Sequence, residues 1–152
     1  PLVVVLDAIQ DPGNAGSIAR TAEAFGATGV VFLKGSAHCW NPKALRASAG
    51  SLFRIPVMER VTAEELLERA CQAKLELWAA DPGGDVGVEE ADWRRGSALL
   101  IGNEGAGIRD SLSEKAKKFR IPTREVESLN AALSAGIALY VASRQRANLI
   151  FP

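Results

Sequence analysis

The chain has little of what marks several common protein classes. Its 152 residues include two cysteines, Cys39 and Cys71, and a single histidine, His38. Two thiols 32 positions apart make no disulfide framework, and with one histidine they make no zinc ligand set. Free buried or half-buried thiols and no bound metal are therefore expected. No apolar run reaches the roughly 18 to 20 residues needed to cross a bilayer, and no charged start leads into an apolar stretch as a signal peptide would. A soluble, cytoplasmic protein with no membrane partner is the expectation. Net charge is absent too: 18 Lys and Arg balance 18 Asp and Glu, so bulk charge does not announce a nucleic-acid binder.

What is present is enough apolar residue, 47%, for one domain with a full core. The chain opens at Pro1 directly into Leu2-Val3-Val4-Val5-Leu6, and residues 1–152 are expected to be one domain from which an upstream segment has been removed. Charge is uneven. Lys34 to Arg60 holds five Lys/Arg against one acid, Trp93 to Arg120 seven against three, and Val61 to Asp92 two against nine. Polyanion binding would use one face, although ordinary solvated faces would look the same.

Apolar, β-branched runs at Leu2 to Leu6, Gly29 to Leu33, Arg54 to Met58, Leu75 to Ala80, Ala98 to Ile101 and Lys118 to Ile121 alternate with stretches of helical period. That alternation predicts an α/β fold with a mostly parallel sheet and helices on both faces. Helices are expected over Ala15 to Phe25, Pro42 to Ala49, Ala63 to Cys71, briefly over Asp110 to Lys117, and over Ser128 to Ala147, with Gly26, Gly50 and Gly96 as stops. Asp81 to Gly87 reads as one polar loop. Ligands of open α/β sheets sit beyond the carboxyl ends of strands, which directs attention to the loops starting at Asp7, Asp81, Gly102 and Pro122.

Three segments carry the chemistry. In Asp11-Pro12-Gly13-Asn14-Ala15-Gly16-Ser17-Ile18-Ala19-Arg20, Asn14 is expected near a helix N-cap and Arg20 on the second turn, where a guanidinium beside helix amides suits a phosphate. Gly102-Asn103-Glu104-Gly105-Ala106-Gly107 follows a strand and lets backbone approach a ligand, yet it is neither the dinucleotide fingerprint nor a P-loop. In Ser128-Leu129-Asn130, Ser128 caps the closing helix and Asn130 on its first turn faces the loop ahead. Taken singly, each has a plain reading: a cap with a surface arginine, a tight turn, and a packed helix.

Together, in this order and over nearly the whole chain, they resemble the SpoU (TrmH-like) family of the SPOUT class of RNA methyltransferases. The stretch from Trp40-Asn41-Pro42-Lys43 through Arg54-Ile55-Pro56-Val57 is similar to its ribosomal-RNA branch. The resemblance implies a carboxyl-terminal deep trefoil knot, S-adenosyl-L-methionine as cofactor, and methyl transfer to a ribose 2'-hydroxyl of RNA by a homodimer. It implies adenine held by main chain around Gly102, Ile121 and Leu129, with Ala80 nearby. Arg20 would activate the hydroxyl, and because a guanidinium keeps its proton to about pH 12, positioning and alkoxide stabilisation are favoured over a literal base. Asn14 would orient Arg20 or the RNA, Glu104 would fix the second loop or reach across the site, and Ser128 with Asn130 would bind the methionine end or hold the knot. Lys43, Arg46 and Arg109 would face RNA. Thr123-Arg124-Glu125 stands where many relatives carry Met and Gly. Transfer RNA as substrate and an inactive RNA-binding module of the same fold are the alternatives; a Rossmann dehydrogenase is disfavoured, because the first turn lacks G-x-G-x-x-G.

Overall fold

The apolar run at the start of the chain becomes a central strand, β1 (Leu2–Asp7), in the computed structural model, which describes the backbone of residues 1–150 and the side chains of residues 1–147. It is flanked in parallel by β2 (Gly29–Leu33) and β6 (Ser97–Gly102), with Val4 opposite Val30 and Leu99, and Val5 opposite Val31 and Leu100. Side chains alternate along a strand, so both faces of this sheet need cover. Val4, Leu6, Val30, Phe32, Leu99 and Ile101 join one core; Val5, Val31, Leu33, Ala98 and Leu100 join the other. Helices α1 (Pro12–Ala24), α2 (Pro42–Ser48) and α5 (Ala131–Ile150) cover the first face through Ile18, Ala22, Ala44, Ala135 and Leu139. The second is covered by α3 (Ala63–Gln72) and α4 (Asp110–Ser113) through Leu66, Ala70 and Leu112.

The remaining strands are β3 (Val57–Val61), β4 (Glu76–Ala80), β5 (Val86–Gly87) and β7 (Lys117–Arg120), and the sheet order is β3-β2-β1-β6-β4-β7-β5, with every pairing parallel. The expected α/β class with helices on both faces is observed. Chain order runs outward from β1 to β3 and then resumes beyond β1 on the other side. Such a reversal of winding opens a crevice at the carboxyl ends of the strands.

Several expected boundaries shift. The third strand was expected over Arg54 to Met58 but begins at Val57. Ile55, two residues beyond a short 3-10 turn at Ser51–Phe53, is buried in the core without being in a strand, and the Pro56 carbonyl accepts from Val30 N at 2.9 Å. The strand itself is an exposed edge, Val-Met-Glu-Arg-Val, whose polar residues hide its strand character. Asp81 to Gly87 is not wholly loop, since Val86 and Gly87 pair with Phe119 and Arg120. Gly96 stops no helix and instead leads into β6. The helix at Asp110 ends at Ser113, short of Lys117.

Two cap assignments also change. Asp11, not Asn14, caps α1: its carboxylate accepts from Gly13 N at 3.3 Å and Asn14 N at 3.0 Å, and Pro12 starts the helix. These amides, Asn14 first, hold the Asp11 carboxyl below its ordinary range. The helix therefore starts three residues early, which puts Arg20 on its third turn. At the closing helix Asn130, not Ser128, is the cap, its Oδ1 accepting from Ala132 N at 2.9 Å and Leu133 N at 3.2 Å.

Glu23 near the end of α1 receives Arg54 Nε at 2.7 Å and Nη2 at 2.8 Å. The Arg54 hydrogen bonds, then that of Ser51, hold the Glu23 carboxyl down from 4.5 to about 2. A depressed carboxyl stabilises the fold fully above its unfolded value and loses that contribution as pH falls toward the folded one. Glu23→Gln is thus expected to melt below the parent near neutrality, and the gap should close between pH 4.5 and about 2. Melting curves of both proteins across that range check it, and a gap that does not change with pH refutes it.

Candidate functional site

Beyond the carboxyl ends of β4, β6 and β7 lies a cavity of about 680 Å³, closed on one side by the segment leading into α5. Ala80, Gly102, Ile121 and Leu129, from three stretches of chain that end β4, end β6 and link β7 to α5, all line it, and so do Glu104 and Ser128. Thr123, in the segment that departs from the family pattern, lines it as well.

Its wall after β6 is built by backbone. A Cβ on Gly102 would lie 2.4 Å from the Gly107 carbonyl carbon and 2.6 Å from Ile108 N, so only glycine lets the two arms of the loop close. Asn103 N donates to Gly107 O at 3.1 Å and Gly107 N returns to Asn103 O at 2.8 Å. The Asn103 side chain secures the turn, accepting from Gly105 N and Ala106 N and donating to Ala8 O at 3.0 Å. Asn103 is a site-building residue that the sequence reading missed; its signal was an Asn inside a glycine turn, where an amide can replace missing backbone partners.

The polar residues of the three segments meet at one edge of this cavity. Asn14 Nδ2 donates to Glu104 Oε1 at 2.7 Å, and Asn130 Nδ2 reaches the same oxygen at 3.2 Å and Asn14 Oδ1 at 3.3 Å. Because Asp11 takes the capping role, the Asn14 amide is free to point across to the loop. Arg20 is not part of this cluster and does not line the cavity; it is exposed, six residues along α1 and so about 120° around the helix from Asn14.

Of the residues expected to face RNA, Lys43 and Arg46 are exposed on α2, and Lys43 Nζ stands 3.4 Å from Asp11 Oδ1. Arg109 is differently placed. Its N and Nε donate to Asp7, which is 1% exposed, at 2.8 and 2.7 Å, and its Nη2 donates to Lys34 O at 3.0 Å. The structure therefore commits this guanidinium to pinning the loop after β6 onto the end of β1. Asp7 was missed, although an acid closing a run of five apolar residues was a visible signal.

Both cysteines are free, Cys39 buried and Cys71 exposed. Burial first, then Glu59, pushes the Cys39 thiol up to about 12, so it is no nucleophile near neutrality. Its Sγ lies 3.0 Å from Glu59 Oε2, and one donor atom each from His38, Cys39 and Glu59 lie within 4.8 Å of one another. Counting only Cys and His could not anticipate this trio, because its acid comes twenty residues later.

Comparison with known proteins decides the family, since the SpoU rRNA methylase family matches residues 1–140. The chain belongs to this family. A 23S rRNA (guanosine(2553)-2'-O)-methyltransferase of Bacillus subtilis is 36% identical over 140 residues, covering 91% of this chain and 56% of that protein. A 23S rRNA (uridine(2479)-2'-O)-methyltransferase of Streptomyces viridochromogenes is 37% identical, covering 95% and 53%. The crystal structure of the SpoU methyltransferase AviRb of Streptomyces viridochromogenes with AdoMet superposes with a TM-score of 0.90 at 36% identity, covering 96% of this chain and 60% of that one. A structure concerned with 2-OH methylation of tRNA has a TM-score of 0.86 at 28% identity and covers 97% of both chains. This SpoU chain spans about half the length of the curated relatives it matches. Among its described residues no helix is long and apolar enough to cross a membrane.

Proposed function

We propose that this chain is the catalytic domain of a methyltransferase that uses S-adenosyl-L-methionine to methylate a ribose 2'-hydroxyl of ribosomal RNA. The observation that carries the reading is the cavity behind Gly102, where four predicted cofactor residues from three separate stretches of chain converge. Its volume suits a ligand of cofactor size, and the absence of a Cβ at Gly102 is what lets the wall form. Backbone amides and carbonyls of Gly102, Ile121 and Leu129 would hold adenine, with Ala80 beside it and Ser128 toward the methionine end.

When bound, the cofactor supplies a methyl group on a cationic sulfur. The new bond forms between the ribose oxygen and the methyl carbon; the C–S bond breaks with its electrons staying on sulfur, and the hydroxyl proton leaves to water or an RNA phosphate. A neutral hydroxyl is a poor nucleophile, so a cation that stabilises developing alkoxide lowers the barrier. Arg20 is assigned that role. Asn14, Glu104 and Asn130 tie α1, the glycine loop and the start of α5 together, which fixes the helix that carries Arg20 relative to the cofactor wall.

The same reading includes a trefoil knot and a homodimer, in the cytoplasm where its RNA substrate resides. Supporting the knot, β7 lies between β4 and β5, and the connection between those strands passes over it, with Arg120 Nη1 donating to Gly84 O and Asp85 O at 2.8 and 3.0 Å. A Cβ on Gly84 would lie 2.5 Å from the Phe119 carbonyl carbon. Supporting the dimer, Leu133 and Tyr140 of α5 are 52 and 53% exposed. Transfer RNA is the second reading, favoured by the tRNA-methylating neighbour that this chain covers end to end.

Melting with added ligands tests the cofactor assignment. S-adenosylhomocysteine at about 100 times its Kd should stabilise the protein by about 2.7 kcal/mol, and NAD should do nothing. In Gly102→Ala the shift with S-adenosylhomocysteine should vanish. Stabilisation by NAD instead, or an unchanged shift in the variant, refutes the assignment.

A further inference from the structure

Trp40 and Phe53 flank α2 and belong to none of the machinery described above. Both are large apolar residues left in water, 43 and 70% exposed. Their ring centroids lie 5.8 Å apart and their planes are tilted by 36°. Neither is loosely held. Trp40 immediately precedes Asn41, whose side chain caps α2 by accepting from Lys43 N at 2.9 Å. Phe53 closes the 3-10 turn, which buries Ser51 and Leu52, and its N donates to Gly50 O at 3.1 Å. The next residue, Arg54, is clamped to Glu23. The turn thus buries its other side chains and leaves Phe53 facing outward.

The segment that carries them is basic in sequence, although Lys43 stands 3.4 Å from Asp11. Residues 34 to 60 contain five Lys/Arg and one acid, Glu59. Arg54 is neutralised by Glu23, while Lys43 and Arg46, three residues apart, share an exposed face of α2. The Lys43–Asp11 contact sets the start of α2 beside the start of α1, the end from which Asn14 reaches Glu104 and the cavity rim. Rings beside Lys43 and Arg46, on a helix whose start is tied to the end of α1 that reaches the cavity rim, suit RNA: aromatic faces take bases and cations take phosphates. A duplex hides its base faces, so the matching ligand is an unpaired or splayed nucleotide.

We propose that Trp40 and Phe53 form a stacking platform for an unpaired RNA base, with Lys43 and Arg46 holding the adjoining phosphates. The proposal rests on the RNA-methyltransferase reading and extends it by naming the element of substrate structure this face selects. Stacking contributes affinity that does not depend on salt, whereas a phosphate contact releases counterions and sets the salt slope. The two kinds of residue are therefore separable.

The test titrates this chain with a single-stranded oligoribonucleotide of about ten nucleotides, a length within the usual single-strand site size. Intrinsic tryptophan emission reports the site: Trp78 and Trp93 are only 4 and 0% exposed, so quenching by RNA should come from Trp40 and disappear in Trp40→Leu. Trp40→Leu and Phe53→Leu should each weaken binding about five- to a hundredfold with the salt slope unchanged, and Trp40→Phe should restore most of the loss. Lys43→Ala should lower the slope by about one. Melting curves confirm that each variant is folded. Leucine keeps the apolar area but not the π-face, so equal binding by Leu and Phe variants overturns the platform, as does wild-type affinity in both Leu variants while Lys43→Ala still changes the slope. A change in oligomeric state without a change in RNA affinity overturns it in favour of a protein interface. If no form of the chain binds RNA, the underlying RNA reading fails and the platform with it.

Discussion

Arg20→Ala is expected to lower methyl transfer about a hundred- to a thousandfold while leaving S-adenosylhomocysteine affinity near that of the parent. The size is that of removing one preorganised donor from a developing oxyanion. The separation of the two effects follows from the geometry. Arg20 is exposed on α1 and does not line the cavity, so nothing in the cofactor wall depends on it. Its assigned part is to stabilise and position the reacting oxygen. Arg20→Lys keeps the charge without the planar fork and should fall between parent and Arg20→Ala. Single-turnover transfer of a labelled methyl, beside a titration with S-adenosylhomocysteine, measures both quantities. Lost cofactor binding, or activity within tenfold of the parent, would remove Arg20 from the role assigned.

The second large effect is on stability. Arg109→Ala removes the side chain that pairs Asp7, leaving a carboxylate 1% exposed with only the Arg109 main-chain amide as the remaining contact described for it. Breaking a fully buried pair on one side costs about 3 to 5 kcal/mol, because the partner's charge stays buried without compensation; with the Arg109 side chain 34% exposed, water reaches the gap and the loss should fall at the low end of that range. For a domain of this length that lowers the melting midpoint by on the order of 10 °C. The double variant Asp7→Asn/Arg109→Ala should recover much of the loss, because a neutral amide is cheaper to bury than a lone carboxylate. The salt slope of RNA binding should not move, in contrast to Lys43→Ala. Urea unfolding of the single and double variants measures the first claim. A single-variant loss under 1 kcal/mol, with a lowered salt slope, would return Arg109 to the RNA-facing surface where its position in the sequence suggested it belonged.

Arg109 also shows what the sequence withheld. A charge count along the chain places it in a basic segment, but nothing local says that a carboxylate 102 residues away will claim it. The parallel sheet was legible because central strands buried on both faces are apolar along their middles, as β1, β2, β4 and β6 are between end residues such as Asp7, Glu76 and Ser97. The edge strand β3 was not, because its exposed polar residues answer to solvent rather than to a core. Nor was β5, which is two residues long and exists through its pairing with β7.

The site divides along the same line. Ala80 and Gly102 close their strands and Ile121 follows β7, and the winding of an α/β sheet brings such carboxyl-end positions together; Leu129, nine residues beyond β7, joins them through the segment leading into α5. The cap of α1 went the other way: Asn14 and Asp11 are both good caps, and choosing between them required knowing that Pro12 opens the helix and that Glu104 takes the Asn14 amide. Motif order and spacing identified the residues of the Asn14–Glu104–Asn130 cluster; their mutual hydrogen bonds are long-range facts that only the folded chain supplies.

The central claim is that the methyl group goes to a ribose oxygen. RNA breaks in alkali because the 2'-hydroxyl attacks the adjacent phosphate, so a nucleotide methylated at that oxygen survives joined to its neighbour. The deciding measurement incubates the chain with ribosomal RNA and cofactor labelled in the methyl group, then hydrolyses the RNA in alkali. Label in alkali-stable dinucleotides is the predicted result. Label in mononucleotides, which marks methylation of a base, or no incorporation by a folded protein that binds both cofactor and RNA, would contradict it.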